Sequence, residues 1–163
     1  MLQQTQVNTV IPYYHNFLKR FPNLNRLARS DLQDVLKVWE GMGYYARARN
    51  LHRAAQVVVR DFGGTIPDTW NDFRKLPGVG DYIAAAVLSI VFSLPYAVVD
   101  GNVKRVLARF HAIEGWPGRA AVLRRLWDLA GQHTPHQQVA VYTQAMMDLG
   151  ATICTRSKPA CEL

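Results

Sequence analysis

Apolar residues return with a helical period through almost the whole chain. Val7, Val10, Ile11 and Tyr14 follow i, i+3, i+4, i+7, and so do Leu32, Val35, Leu36 and Trp39; Val103, Val106, Leu107 and Phe110; and Leu123, Leu126, Trp127 and Ala130. That spacing puts four side chains on one face of an α-helix, so each set predicts a helix with a buried stripe. No sustained alternation of apolar and polar residues competes, and the expectation is an all-α chain of about eight short helices. Punctuation agrees. Ser30 and Gln33 have the spacing of a capping box, Gly41 and Gly43 follow one helix, Gly63 and Gly64 the next, and Pro67, Pro95, Pro117 and Pro135 mark later breaks. The pattern contains no long linker, low-complexity tract or solenoid repeat.

Length and charge narrow the picture. A chain of 163 residues has the size of one domain and can bury roughly 70% of its unfolded surface. With 49% hydrophobic and 19% charged residues and a net charge of +7, it reads as a soluble globular protein with an anionic partner, nucleic acid first. The longest apolar run, Ile83 to Val91, is interrupted by Ser89 and falls short of the ~20 residues that span a bilayer. Met1-Leu2-Gln3-Gln4-Thr5-Gln6 lacks the basic and apolar regions of a secretory signal. The expected setting is intracellular, in the cytoplasm of a bacterium or with its nucleoid, with no membrane partner. There Cys154 and Cys161 read as metal ligands or incidental thiols rather than a disulfide.

One short signature stands out. Leu76-Pro77-Gly78-Val79-Gly80 lies between a short helix expected near Asp68 to Lys75 and the apolar segment from Asp81 to Phe92. This is the pattern of a helix-hairpin-helix. Its two glycines are expected to reach left-handed dihedrals and turn backbone N–H groups outward at a phosphate, an anchor that holds DNA without reading its sequence. Twenty residues after Gly80 comes Asp100, at the head of the basic stretch Gly101-Asn102-Val103-Lys104-Arg105. Asp100 has two readings. It is an N-cap for a helix beginning near Gly101, or a carboxylate for chemistry on a sugar or base, and one residue is able to do both.

The ordered motifs resemble the helix-hairpin-helix DNA glycosylases, and within them the adenine DNA glycosylases of the MutY type. They run from end to end: Met1 to Val7, Gly43-Tyr44-Tyr45-Ala46-Arg47-Ala48-Arg49-Asn50-Leu51, the hairpin, Asp100 to Val106, Gln144-Ala145-Met146-Met147-Asp148-Leu149-Gly150 and Cys154-Thr155-Arg156-Ser157-Lys158-Pro159. The resemblance implies an all-α, two-lobed glycosylase core. One lobe covers roughly 7–115 with the hairpin at 76–80, and the segments 1–6 and 116–163 belong to a cluster-side lobe.

It also implies roles. The reaction is hydrolytic removal of adenine mispaired with 8-oxoguanine or guanine in duplex DNA, by a monomer. Asp100 stabilises the oxocarbenium-like transition state and Asn102 helps to orient it. Gln4 is the wedge that fills the stack, Tyr44 inserts beside the base opposite the target, and Tyr82 lines the base pocket. Leu2, Arg47, Leu76, Gly78, Val79, Gly80 and Lys104 complete the base-pocket and DNA-binding set. For Tyr44 the plain alternative is packing after a glycine turn, and for the arginines a solvated surface.

Four features depart from the family pattern. Lyase relatives such as endonuclease III carry a nucleophilic lysine two residues beyond the second hairpin glycine, where this chain has Tyr82. A phenol does not form a Schiff base, so monofunctional base removal is expected. Cys154 and Cys161, with six residues between them, match the first half of a four-cysteine set for a four-iron four-sulfur cluster. Such a cluster needs four thiolates, so the parent protein's site is incomplete here. The family's general acid, a glutamate, falls two positions before Met1, and Glu40, Glu114 and Glu162 lie outside that motif. The family's C-terminal domain that helps recognise 8-oxoguanine is not expected within these residues either. The expectation is therefore an impaired, incomplete catalytic core. Two other readings stay open: an endonuclease III-like glycosylase and lyase, or a non-catalytic helix-hairpin-helix DNA-binding fragment.

Overall fold

The computed structural model describes residues 1–161, and Glu162 and Leu163 lie outside the described residues. Those residues form nine α-helices and one π-helical turn, with no strand among them. The order is α1 (Val7–Arg20), α2 (Leu24–Ala28), α3 (Leu32–Trp39), α4 (Ala46–Asp61), α5 (Trp70–Phe73), α6 (Asp81–Val91), α7 (Gly101–Phe110), α8 (Ala120–His133) and α9 (Val139–Asp148), followed by the π-turn (Leu149–Ile153). No helix is long and apolar enough to cross a membrane. The contacts divide the chain into two compact units, Met1–Pro67 with Asn71–Val79, and Asp68–Trp70 with Gly80 onward. The lobe expected over roughly 7–115 and the cluster-side lobe of 1–6 and 116–163 stay a proposal.

In the first unit α1 packs on α3, and α4 packs on both α2 and α3. Its core joins Val10, Phe17, Phe21, Leu27, Val35, Trp39, Met42, Ala48 and Ala55. Trp39 presents an edge to Phe17 at 6.1 Å, and Phe17 in turn stacks tilted on Phe21 at 5.0 Å. A buried His52 bonds the Ser30 carbonyl through Nε2 at 3.0 Å. That bond ties α4 to the α2–α3 turn.

In the second unit α9 packs on α6 and α7, α8 packs on α7, and the π-turn packs on α7 and α9. Val99, Val103, Leu107, Leu126 and Ala130 form its core, with Trp127, Met146 and Met147 around them.

Two expectations are corrected. Val10 is buried, but Val7 (60% exposed), Ile11 (47%) and Tyr14 (50%) face outward, and so does Phe110 (75%). Periodicity states which residues share a face, and the inward face of α1 is instead the one bearing Val10 and Phe17. The cap of α3 is Asp31, whose Oδ1 accepts from the Gln33 N–H at 2.7 Å. Ser30 is turned back, donating Oγ–H to the Leu27 carbonyl at 2.7 Å, because a carboxylate next to the first helical residue outcompetes a hydroxyl one position earlier.

Leu126→Ala should cost about 2–5 kcal/mol, the usual range for a fully buried leucine, and Phe110→Ala less than about 0.5 kcal/mol. Urea unfolding of the two variants checks the corrected stripe. Equal losses would place Phe110 in the core after all.

Candidate functional site

The hairpin begins with Leu76, which is buried and holds the turn to the first unit. The Val79 N–H donates to the Leu76 carbonyl at 3.1 Å, and the Arg74 guanidinium donates to the Val79 carbonyl. Gly78 sits at φ +78, and a Cβ there would meet the Asn50 side chain at 2.6–2.8 Å. Both conformation and close approach therefore demand glycine. Gly80 differs. Its φ is −92, and a Cβ would find nothing within 4 Å. The expectation of two left-handed glycines is corrected accordingly. The Val79 N–H closes the turn from within, and only Gly78 is left-handed.

Gly80 is the N-cap of α6, and its carbonyl accepts from the Ala84 N–H at 2.9 Å. Two residues on, Tyr82 is partly exposed. Burial holds its phenol above the usual tyrosine range, and the negative charge of Asp100 adds to the shift. The second unit thus brings Tyr82 within electrostatic reach of Asp100.

Asp100 is the N-cap of α7. Its Oδ1 accepts from the Val103 N–H at 2.7 Å, and its carbonyl accepts from the Lys104 N–H at 3.0 Å. No hydrogen bond among the described residues engages Oδ2. One oxygen fixes the carboxylate, and the other is open to a ligand. The cap reading of Asp100 is therefore correct as structure, and it leaves the carboxylate half free. Lys104 lies on the first turn of α7, half-buried.

Asn102 Oδ1 accepts from Arg105 Nη2 at 2.8 Å. Arg105 also donates Nε–H to the Cys154 carbonyl at 2.6 Å, and its guanidinium reaches the Gly150 carbonyl. Gly150 has no room for a side chain, since a Cβ would stand 2.6 Å from Asn102 Cβ and 3.0 Å from its backbone. One turn further, Arg109 Nη1 donates to Cys154 Sγ at 3.3 Å and to the Thr155 carbonyl at 2.8 Å. Sequence reasoning did not single out Arg105, Arg109 or Gly150. Arg105 and Gly150 lie within the motifs quoted above without a role being legible there, and Arg109 is signalled only by its spacing from Asn102 and Arg105 along one helix.

Cys154 is half-buried, and Cys161 is exposed. No group of three or more His, Cys, Asp or Glu side chains among the described residues is placed to hold a metal ion. A closed four-thiolate site does not fit these two thiols by themselves.

In the first unit, Gln4 and Tyr44 are exposed and left-handed, at φ 58 and 48. Leu2 is exposed beside Gln4. Arg47, expected among the DNA contacts, is turned inward instead. Its guanidinium donates to the carbonyls of Met1 (2.6 Å), Gln3, Gly43 (3.2 Å) and Met42 (3.4 Å).

The chain is similar to several known proteins. An adenine DNA glycosylase of Buchnera aphidicola subsp. Baizongia pistaciae is 43% identical over 163 residues, covering 100% of this chain and 46% of that protein. The adenine DNA glycosylase of Homo sapiens is 46% identical over 162 residues, 99% of this chain and 30% of that protein. The chain spans less than half the length of these curated relatives. Among solved structures, a thermostable thymine-DNA glycosylase superposes with a TM-score of 0.88 at 30% identity, covering 99% of this chain and 74% of that one. A trapped endonuclease III–DNA covalent intermediate superposes with a TM-score of 0.83 at 22% identity, with the same coverage, which shows the shared fold. Residues 1–132 match the HhH-GPD superfamily of base excision DNA repair proteins. With this match, the all-helical fold and the hairpin in one chain, the protein belongs to the HhH-GPD superfamily.

Proposed function

We propose that the chain carries the DNA-engaging core of a monofunctional adenine DNA glycosylase, acting on adenine opposite 8-oxoguanine or guanine in duplex DNA. The observation that carries the reading is Asp100, fixed through Oδ1 by its cap bond with Oδ2 open. Breaking the bond between C1′ and the adenine sends the electron pair to the base and leaves positive charge on the deoxyribose. A carboxylate held in place stabilises that charge with little reorganisation. Water then supplies the oxygen at C1′ and a proton for the departing base. Asn102, held by Arg105, borders the same helix start and is the proposed orienting residue.

The DNA contacts are proposed on the same basis. Gly80, open on its Cα face, leaves space for a close approach of the phosphate backbone, with Lys104 as a cationic contact and Tyr82 at the base. Gln4, Leu2 and Tyr44 are the proposed side chains that enter the stack. A four-iron four-sulfur cluster is proposed for the parent protein, with Cys154 and Cys161 as two of its ligands.

Tyr82 weighs against lyase chemistry, because a phenol offers no amine for a Schiff base. A second reading, removal of thymine, is favoured by the superposition on the thymine-DNA glycosylase. The identities to adenine DNA glycosylases are higher, and the adenine reading is preferred.

A duplex panel with A opposite 8-oxoguanine, A opposite G and T opposite G decides between them, with base release on the adenine duplexes expected and release of thymine alone overturning the reading. Asp100→Asn separates cap from chemistry, since Asn caps as well as Asp. Stability should change by less than about 1 kcal/mol, while base release falls about 10²-fold or more.

In the same variant the Tyr82 phenol should titrate at lower pH, because a nearby negative charge no longer opposes the phenolate. It should stay above the ordinary value, because burial is the larger cause. Alkaline difference absorbance against Tyr82→Phe reads this shift. Gly78→Ala should destabilise the fold. Gly80→Ala should leave the melting temperature unchanged and weaken duplex binding, and equal loss of stability in both would remove Gly80 as a contact point.

A further inference from the structure

We propose that Arg47 is a positioning residue that couples residues 1–4 to residues 42–45, so that Gln4 and Tyr44 are held, or released, as a pair. The proposal rests on the reading of Gln4 and Tyr44 as the side chains that enter the DNA stack. It adds a residue that contacts no base itself.

The argument begins with the backbone. Gln4 at φ 58 and Tyr44 at φ 48 adopt the left-handed conformation, which non-glycine residues keep only where neighbours hold it. The carbonyl of Gln3 belongs to the peptide that enters Gln4, and that of Gly43 to the peptide that enters Tyr44. Arg47 Nη1 donates to the first and Nη2 to the second. The same fork reaches further back in each segment, two residues to Met1 and one to Met42. One guanidinium therefore holds the approach to both left-handed residues, across a sequence gap of 44 residues for the Gln3 bond.

The fork is itself held by two aromatic rings. Its central carbon lies 5.5 Å from the Trp39 ring centroid and 5.2 Å from that of Tyr44. Trp39 is buried in the core and donates Nε1–H to the same Gly43 carbonyl at 3.1 Å. Arg47 Nε is buried without a partner, a polar loss that the carbonyl bonds and the two rings outweigh. A lysine has neither the planar fork nor enough donors to replace it.

The test uses the whole chain. Hydrogen exchange read by peptide mass spectrometry reports whether the two segments loosen together. A duplex with 2-aminopurine next to the adenine opposite 8-oxoguanine, titrated beside a fully paired duplex, reports mispair preference and unstacking. Arg47→Gln should raise exchange at least tenfold in both segments and leave the 76–80 peptide unchanged. Preference for the mispair should fall at least tenfold, and affinity for the paired duplex less than twofold.

In a Gln4→Ala/Tyr44→Ala background, Arg47→Gln should change the preference by less than twofold, because its effect passes through those residues. A general structural role would weaken both duplexes and add to the double variant. Arg47→Lys, which keeps charge and stem, should follow Arg47→Gln, and it serves in its place should the latter not fold. Loosening of one segment alone, or additive losses, overturns the coupling. A wild-type preference that Arg47→Gln retains overturns this inference alone. A wild-type chain without preference overturns the functional reading and this inference with it.

Discussion

The bond from the Val103 N–H to Asp100 Oδ1 is the constraint on which the second unit turns. It starts α7, and α7 carries nearly everything else. Its inward face supplies Val103, Val106 and Leu107 to the core. Arg105 and Arg109 leave the same helix to hold the Cys154 segment by its carbonyls and sulfur. The carboxylate is thus oriented by a short local bond, and the helix it opens is braced at its other end by a distant loop. A cap contributes about 1 kcal/mol. What matters more here is that it removes the rotational freedom of one carboxylate while leaving Oδ2 unengaged.

Close approach is the second device in that unit. Gly150 lets the π-turn lie against Asn102, at distances a Cβ would not permit. This contact and the Arg105 fork define where the Asn102 amide sits. The first unit uses the same chemistry on another scale, with Arg47 satisfying backbone carbonyls from two segments that local structure alone would leave loose.

Much of this was legible in the sequence, and the exceptions have physical causes. Helix positions follow from the 3.6-residue period, and the start of α7 from Asp100, because both are local. The stripe Val7, Ile11 and Tyr14 misleads because periodicity names a face and says nothing of what covers it. Ser30 was a plausible cap until Asp31, one residue along, supplied a stronger acceptor. Gly78 and Gly80 look equivalent in a motif. Only the backbone shows that Gly78 is required by conformation and by Asn50, whereas Gly80 is merely unobstructed.

By itself the sequence determined an all-α chain, its helices and breaks, a basic surface charge, a hairpin followed by a capping aspartate, and a tyrosine where an amine nucleophile would otherwise stand. These are properties of neighbouring residues and of side-chain chemistry. Only the tertiary structure decided that Arg47 turns inward, that Arg105 and Arg109 bond the Cys154 segment, that Gly150 meets Asn102, and that Tyr82 senses Asp100. The reason is that most partners of these three arginines are backbone carbonyls. Every residue carries one, so no residue type marks which carbonyl a guanidinium will find until the chain has folded.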